Sequence, residues 1–415
     1  MKKLLSLILA VAMVLSLGAF ALADDPITIR VWGAEEYQTY LAERLAAFEA
    51  AYPDQTFDIQ LGVESESTAK DTVLTDVQAA ADVYAFADDQ LTELVAAGAL
   101  LKLDDTVDQI LQNVAGKSLD DVKNANGAGS VAAATRDDVL YAFPMGGGNN
   151  YFLYYDASVI SAEDAASWET LLDAAAAAGK QVGMTLSSGW YNASFFLGAG
   201  FVTELNEDGS TYVDWNGTSA DGISGVDVVK AMQAIAGHDG FMAVADGDLS
   251  NQIAGGKLAA VVDGTWDAGT VEANFAEYAA TKLPTFDVNG TAVQQGCFSG
   301  FKLIGVNPYA ENAGWAVVLA EFLTNEESQV GRFQARQLAP TNTVAASDPA
   351  VEENIAIAAS AQQDAFGTIQ TVGGNYWDPS ASFGEQIAQG TIASDDAAIQ
   401  TALDQLVEVI TAPIG

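Results

Sequence analysis

The chain runs to 415 residues and carries 56 acidic against 16 basic side chains, one His and one Cys, for a formal net charge of −40. A field of that sign repels nucleic acid and anionic membrane surfaces and disfavours anionic substrates. One Cys forms no internal disulfide and one His with one Cys builds no zinc site, while the length predicts two domains of about 100–200 residues each.

Lys2 and Lys3 precede an apolar run from Leu4 to Phe20, then Ala21-Leu22-Ala23 and the polar Asp24. This is the build of a signal peptide over residues 1–23 rather than a membrane anchor, because the run is short and ends on small residues. The mature chain is expected outside the cytoplasm, periplasmic or secreted. No Cys follows the cleavage point to carry a lipid anchor.

ITIRVWG sets Ile27, Ile29 and Val31 against Thr28, Arg30 and Trp32, a strand pattern. Tyr37, Tyr40, Leu41, Leu45 and Phe48 recur at helical spacing, and Pro53 stops that helix. TFDIQLGV alternates again, and DVYAFA from Asp82 to Ala87 reads as a third strand. Strand, helix, strand in this order is the βαβ unit of a parallel sheet.

Further on, Ser167 caps a helix that Gly179 ends. Asn206 to Gly217 reads as a hairpin turning at Asp208-Gly209; an EF-hand lacks support there, since the spaced acids and closing Glu are absent. AAVVDGTWDAG is a buried strand from Ala259 to Asp263, stopped by Gly264 and followed at once by Trp266. Ala313 to Leu323 is an apolar helix. A last helix starts near Ser394 and repeats Ile399, Leu403, Leu406 and Ile410.

Most catalytic chemistries lack their residues. His238, in AIAGHDGFM, reads as an exposed helix end rather than a general base, and Cys297 as a small buried apolar residue. No GxGxxG follows a strand, and MGGGNN at Met145 to Asn150 lacks the Lys-Ser/Thr of a phosphate cradle. Asp246 to Asp248 reads as an exposed turn. No catalytic residue, metal or cofactor is expected, although the abundance of acids leaves a glycosidase carboxylate pair open.

What remains is three aromatic segments at turn-like positions. SSGWYNASFF holds Trp190 and Tyr191, GGNYWDPS holds Tyr376 and Trp377, and DGTWDAG holds Trp266 between Asp263 and Asp267. Aromatic faces that cover apolar sugar faces, beside Asn and Asp that take hydroxyls, suit a neutral polyhydroxyl ligand. The strand's carboxyl end is where open α/β sheets bind ligands, which favours Trp266 as a platform over a core Trp.

Those segments, with ITIRVWG, FEAAYPDQTFDIQLG, DVYAFADDQLTELVAAGALLKLDD, LYAFPMGGGNNYFLYYD, SWETLLDAAAAAG, IAGGKLAAVVDGTWDAG and GCFSGFKLIGVNPYAENAGWAVVLAEFLTNEESQ, occur in an order that resembles the extracytoplasmic solute-binding proteins feeding ABC importers, in the maltose- and oligosaccharide-binding branch. The resemblance implies the two-lobed α/β fold of type II binding proteins, with mostly parallel sheets joined by hinge crossings and closing on ligand. It implies a first lobe of residues 24–145 and 299–336 and a second of 146–298 and 337–415. Carried onto this chain, the ligand positions are Trp266, Trp190, Tyr191 and Trp377 with its neighbour Tyr376, Asp88 and Asp89 after the third strand, and Glu35 and Glu36 after the first. Asp267 joins them as a hydroxyl acceptor beside Trp266. The chain departs from the maltose type in a shorter first loop, an acid in place of an expected basic residue, and Gln90 where a second would stand.

The implied function is delivery of a sugar or oligosaccharide, such as a maltodextrin, to the permease subunits of an ABC importer by a monomer that inserts in no membrane and performs no chemistry. Two other readings stay open: a secreted glycosidase, and a polyamine-binding protein, which acidic charge and an aromatic box also suit. An adhesin-like protein would bind no small molecule.

Overall fold

The computed structural model describes residues 26–206 and 210–412, so the signal segment and the Asp208-Gly209 turn lie outside the described residues. Ten strands build two five-stranded sheets: β1 (Ile27–Gly33), β2 (Phe57–Val63), β3 (Val83–Ala87), β4 (Ala142–Gly146), β5 (Phe152–Asp156), β6 (Gln181–Met184), β7 (Phe241–Ala243), β8 (Leu258–Asp263), β9 (Tyr278–Thr281) and β10 (Lys302–Val306). The first sheet has the order β2-β1-β3-β10-β4 and the second β7-β6-β8-β5-β9. Four strands of each sheet point one way, with β10 reversed in the first and β5 in the second.

The chain divides into two compact units. Residues 1–147 and 300–351 form the first, and 148–299 with 352–415 the second. The segment 337–351, expected in the second lobe, stays with the first unit because hydrogen bonds hold it there. Gly147 N–H donates to Ala339 O (2.8 Å), Gly127 N–H to Thr341 O (2.9 Å), and Gln329 Oε1 accepts from the Thr341 and Asn342 N–H groups.

Local sequence explains the elements that frame the sheets. Helix Gln38–Ala51 buries Tyr40, Leu41, Leu45 and Phe48, one stripe at 3.6-residue spacing, and ends just before Pro53. Helix Trp168–Ala177 begins where the Ser167 hydroxyl accepts from the Thr170 N–H, and Gly179 ends it at φ +67°. Helix Asp396–Ile410 is capped by Asp395 and buries Ile399, Leu403, Leu406 and Ile410.

In β5 and β8 successive side chains alternate between two apolar layers. Leu153, Tyr155, Ala260 and Val262 face one, while Phe152, Tyr154 and Val261 face the other. Both faces are buried, so the strands are apolar up to their last residues, Asp156 and Asp263, rather than alternating with polar residues. The hairpin strands Thr203–Leu205 and Thr211–Val213 pair antiparallel on either side of residues 207–209.

In each unit the reversed strand and its neighbours meet at one edge. Ala87, Lys302 and Gly146 stand side by side in the first sheet, and Asp263 stands opposite Phe152 in the second. The carboxyl ends of the forward strands therefore lie at the edge where the chain enters and leaves the unit.

Candidate functional site

In the first unit this edge is acidic. Glu35 and Glu36 open the helical turn Glu35–Tyr37 directly after β1 and are exposed. Asp88 and Asp89 open the turn Asp88–Gln90 directly after β3 and are half-buried. The Asp88 N–H donates to the Phe301 carbonyl (3.0 Å), which fixes the turn to the start of β10. A Cβ on Gly300 would stand 2.5 Å from Asp88 Oδ1, so a larger residue there would push the Asp88 carboxyl aside.

The Oδ1 atoms of Asp88 and Asp89 are out of solvent with no hydrogen-bond partner among the described residues. Burial pushes the Asp88 carboxyl up to about 7 against the pull of nearby backbone N–H groups. Burial, and then the charge of Asp88, push Asp89 to about 8. Gln90 has a different role: its amide donates to Glu66 O (2.7 Å) and Ser67 O (3.0 Å) and accepts from the Lys70 N–H (2.9 Å). It fastens the loop after β2 to the turn.

Charged groups that the sequence reading did not single out complete this edge. Glu66, buried, lies 3.8 Å from Lys302 Nζ. Burial alone would lower the Lys302 ammonium, but Glu66, Tyr37 and Glu36 outweigh it and hold it above its ordinary value. A small cavity beside them is lined by Trp32, Tyr37, Glu66, Met145 and Arg332. Arg332 is itself tied down, donating to Met145 O (3.1 Å) and Leu323 O (3.3 Å). The one available signal for Lys302 was its place two residues past Gly300 at a crossing; Glu66 and Arg332 gave none.

The second unit collects the aromatics. Trp190, second residue of helix Gly189–Gly198, stacks on Phe298 at 5.7 Å and 26° and meets the edge of Tyr151 at 5.4 Å. Trp377, first residue of helix Trp377–Ala388, meets Phe298 at 6.5 Å and Tyr376 at 5.1 Å. Two of the three turn segments thus converge on Phe298, with Trp190 and Trp377 half-buried. Tyr376 is fully buried and its hydroxyl donates to Gly189 O (2.9 Å), so its ring fastens the two segments and has no surface for a ligand.

The third segment joins through Tyr191. This ring is buried too, and its hydroxyl donates to Asp263 Oδ1 (3.1 Å). Trp266 is half-buried in the turn Thr265–Asp267, and its indole folds back over Gly264, where a Cβ would lie 2.1 Å from the ring. Asp267 accepts from the Ser250 hydroxyl (2.7 Å). Of the ten residues expected to bind ligand, the six on aromatic segments, Asp267 among them, fall in the second unit, and Glu35, Glu36, Asp88 and Asp89 in the first.

The residues set aside as non-catalytic have structural work. His238 accepts from the Gly240 N–H at Nδ1 (3.0 Å), and Nε2 is 3.3 Å from exposed Asp173. Cys297 is buried in the second unit's core. Among the described residues no group of three or more His, Cys, Asp or Glu could hold a metal ion, and no helix is long and apolar enough to cross a membrane.

The family model for bacterial extracellular solute-binding proteins matches residues 43–359. A galactooligosaccharide-binding protein of Bacillus subtilis (strain 168) is 31% identical over 157 residues, 37% of this chain and 35% of that protein, so the match spans about a third of the relative's length. A solved structure described as being with acarbose aligns at TM-score 0.81 with 28% identity, over 93% of this chain and 99% of its own. The maltodextrin binding protein from L. casei BL23, solved without ligand, aligns at TM-score 0.75 with 23% identity, over 94% and 100%.

Proposed function

Because the chain belongs to the bacterial extracellular solute-binding protein family, we propose that it captures a neutral oligosaccharide outside the cytoplasm and hands it to the permease subunits of an ABC importer, without catalysis. The observation that carries this reading is the pair of half-buried carboxyls, Asp88 and Asp89, each with an Oδ1 atom lacking a partner among the described residues. Buried acceptors in this state call for donors, and sugar hydroxyls are donors. The half-buried indoles of Trp190, Trp266 and Trp377 supply the stacking faces that the apolar side of a pyranose needs.

The ligand class follows from likeness as well: one relative is described as binding galactooligosaccharide, and one similar structure as being with acarbose. In this reading Trp266, Trp377, Trp190, Asp88, Asp89, Glu35, Glu36 and Asp267 are the ligand groups, with Tyr191 and Tyr376 holding their segments in place. The chain works as a monomer, freed of residues 1–23 in the periplasm or as a secreted protein, and closes its lobes on the sugar.

Calorimetric titration with maltotetraose, a galactooligosaccharide and spermidine, with chromatography of the sugars afterwards, tests the reading. Binding of a sugar without turnover is the expected outcome. Hydrolysis would establish a glycosidase, and binding of spermidine alone would move the chain to the amines.

A further inference from the structure

At the end of β8 the carboxyl of Asp263 is fully buried. Its Oδ1 accepts from the Gly264 N–H (2.8 Å) and from the Tyr191 hydroxyl (3.1 Å). As a carboxylate Asp263 has no hydrogen to give, and its Oδ2 has no partner among the described residues. Protonated, Asp263 can donate to the neighbouring Asp267 side chain, which favours its neutral form.

No charge nearby removes the need for that proton. Among the described residues no ion pair reaches either carboxyl. The titratable groups that face the pair are phenols: Tyr191, with Tyr151 beside it, and Tyr154, whose hydroxyl donates to Gly264 O (3.0 Å) and which neighbours Tyr278 on β9. Glu272 of helix Ala268–Asn274 acts on Tyr278. Helix Leu249–Ala254 offers only the Ser250 hydroxyl, and the single acid of helix Ile355–Asp364, Asp364, is engaged by Ser299 and Asn150. A carboxyl wholly out of water, beside another acid and without a counter-charge, is held toward its neutral form.

We infer that Asp263 is a positioning residue that works as a neutral carboxylic acid, donating toward Asp267 so that the two side chains clamp the turn carrying Trp266. Burial, and then the neighbouring Asp267, hold its carboxyl well above the usual carboxylate range, in keeping with this role. Loss of the proton sets two like charges against each other across the turn and shifts the indole. The inference rests on the reading of Trp266 as a ligand face, and it makes ligand affinity fall as pH rises.

The test uses the full mature chain, with maltotetraose titrated by calorimetry from about pH 6 to about pH 10. Wild-type affinity is expected to drop by about fivefold or more, with a limit of tenfold per pH unit once the acid ionises. Asp263→Asn keeps an acceptor and a donor but cannot ionise, and its profile is expected to flatten to a change of about twofold or less across the same range. Titration of Asp88 and Asp89 is common to both proteins, so the difference between the profiles reads Asp263. The emission difference between the wild type and Trp266→Phe follows the turn without any ligand: it should change with pH, and the same difference taken on the Asp263→Asn background should not. Parallel binding profiles, or a pH-independent emission difference in the wild type, overturn the inference. If no sugar binds at any pH, the sugar reading fails by itself and the emission arm alone decides the role of Asp263.

Discussion

A carboxyl buried without a cation makes stability depend on pH in the opposite sense to a salt-bridged acid. Asp88 and Asp89 bind their protons up to about 7 and about 8 in the folded chain, against an ordinary 3.8. Between those limits the folded state holds protons that the unfolded chain has released, so stability falls as pH rises from about 4 to about 8. Asp89→Asn is expected to flatten the dependence of melting temperature on pH between 5 and 9. At the alkaline end it should melt higher than the wild type, by about 2–4 °C for each kcal/mol of relieved burial cost. A variant that melts lower at pH 9 would show that the charged form is needed for folding. At Trp266 the readout is affinity. Trp266→Ala should weaken sugar binding by about 1–3 kcal/mol, by analogy with base stacking on aromatics, and cost less stability than a core Trp. Trp168 is the control: fully buried, with Nε1 donating to Gln295 Oε1 (2.7 Å), its loss to Ala should cost about 3–5 kcal/mol of folding free energy and leave the ligand contacts in place. Titration and melts of both variants distinguish the two.

Helices and strands were legible wherever one periodicity ran uninterrupted between punctuating residues. Ile27–Gly33 and Phe57–Val63 match their alternating stretches, and the last helix starts at the Asp395 cap. The cap at Ser167 illustrates the size of such a signal: Ser167→Ala should destabilise the chain by about 1 kcal/mol, read by urea titration, and no loss would mean that packing of Trp168 alone sets the helix start. The placement of the candidate aromatic residues was partly legible, because Trp190, Trp266 and Trp377 stand at helix starts and turns. Their sorting was not: Tyr376 has the same flanking residues as Trp377, yet its hydroxyl reaches Gly189, nearly two hundred positions earlier. For the same reason Glu66, Lys302 and Arg332 escaped, since three distant segments bring them together and nothing local marks them. Residues 337–351 went to the wrong lobe because Gln329 holds them through a side chain, a contact that no pattern in 337–351 announces.

At the scale of the molecule the prediction concerns motion and charge. If the lobes close on ligand, small-angle scattering should give a smaller radius of gyration with saturating sugar than without, since closure needs higher affinity for the closed state; an unchanged radius would mean a preformed site. Saturating sugar at about 100 times its dissociation constant should add about 2.7 kcal/mol to stability. With 56 acids against 16 basic residues, self-repulsion is strongest in dilute buffer. The melting temperature should therefore rise as salt goes from about 10 mM to about 150 mM, where the screening length falls to about 8 Å.

The interleaving of the two units sets the order in which the molecule can be made. β10, which sits between β3 and β4 in the first sheet, is synthesised after every strand of the second. Lys302 must come back to pair with Ala87 across about 200 residues, a closure that is slow for entropic reasons. The N-terminal part of the first unit therefore waits, its sheet split down the middle, while the strands of the second sheet emerge complete. Ribosome-bound chains that end at Ser299 should be digested through residues 26–147 by a brief protease pulse, and chains that end at Val351 should resist there. Protection of the shorter chains would mean that β3 and β4 hold together without the strand that separates them. In the time course of synthesis the first strands of the protein to be born wait for one made after the whole of the second sheet.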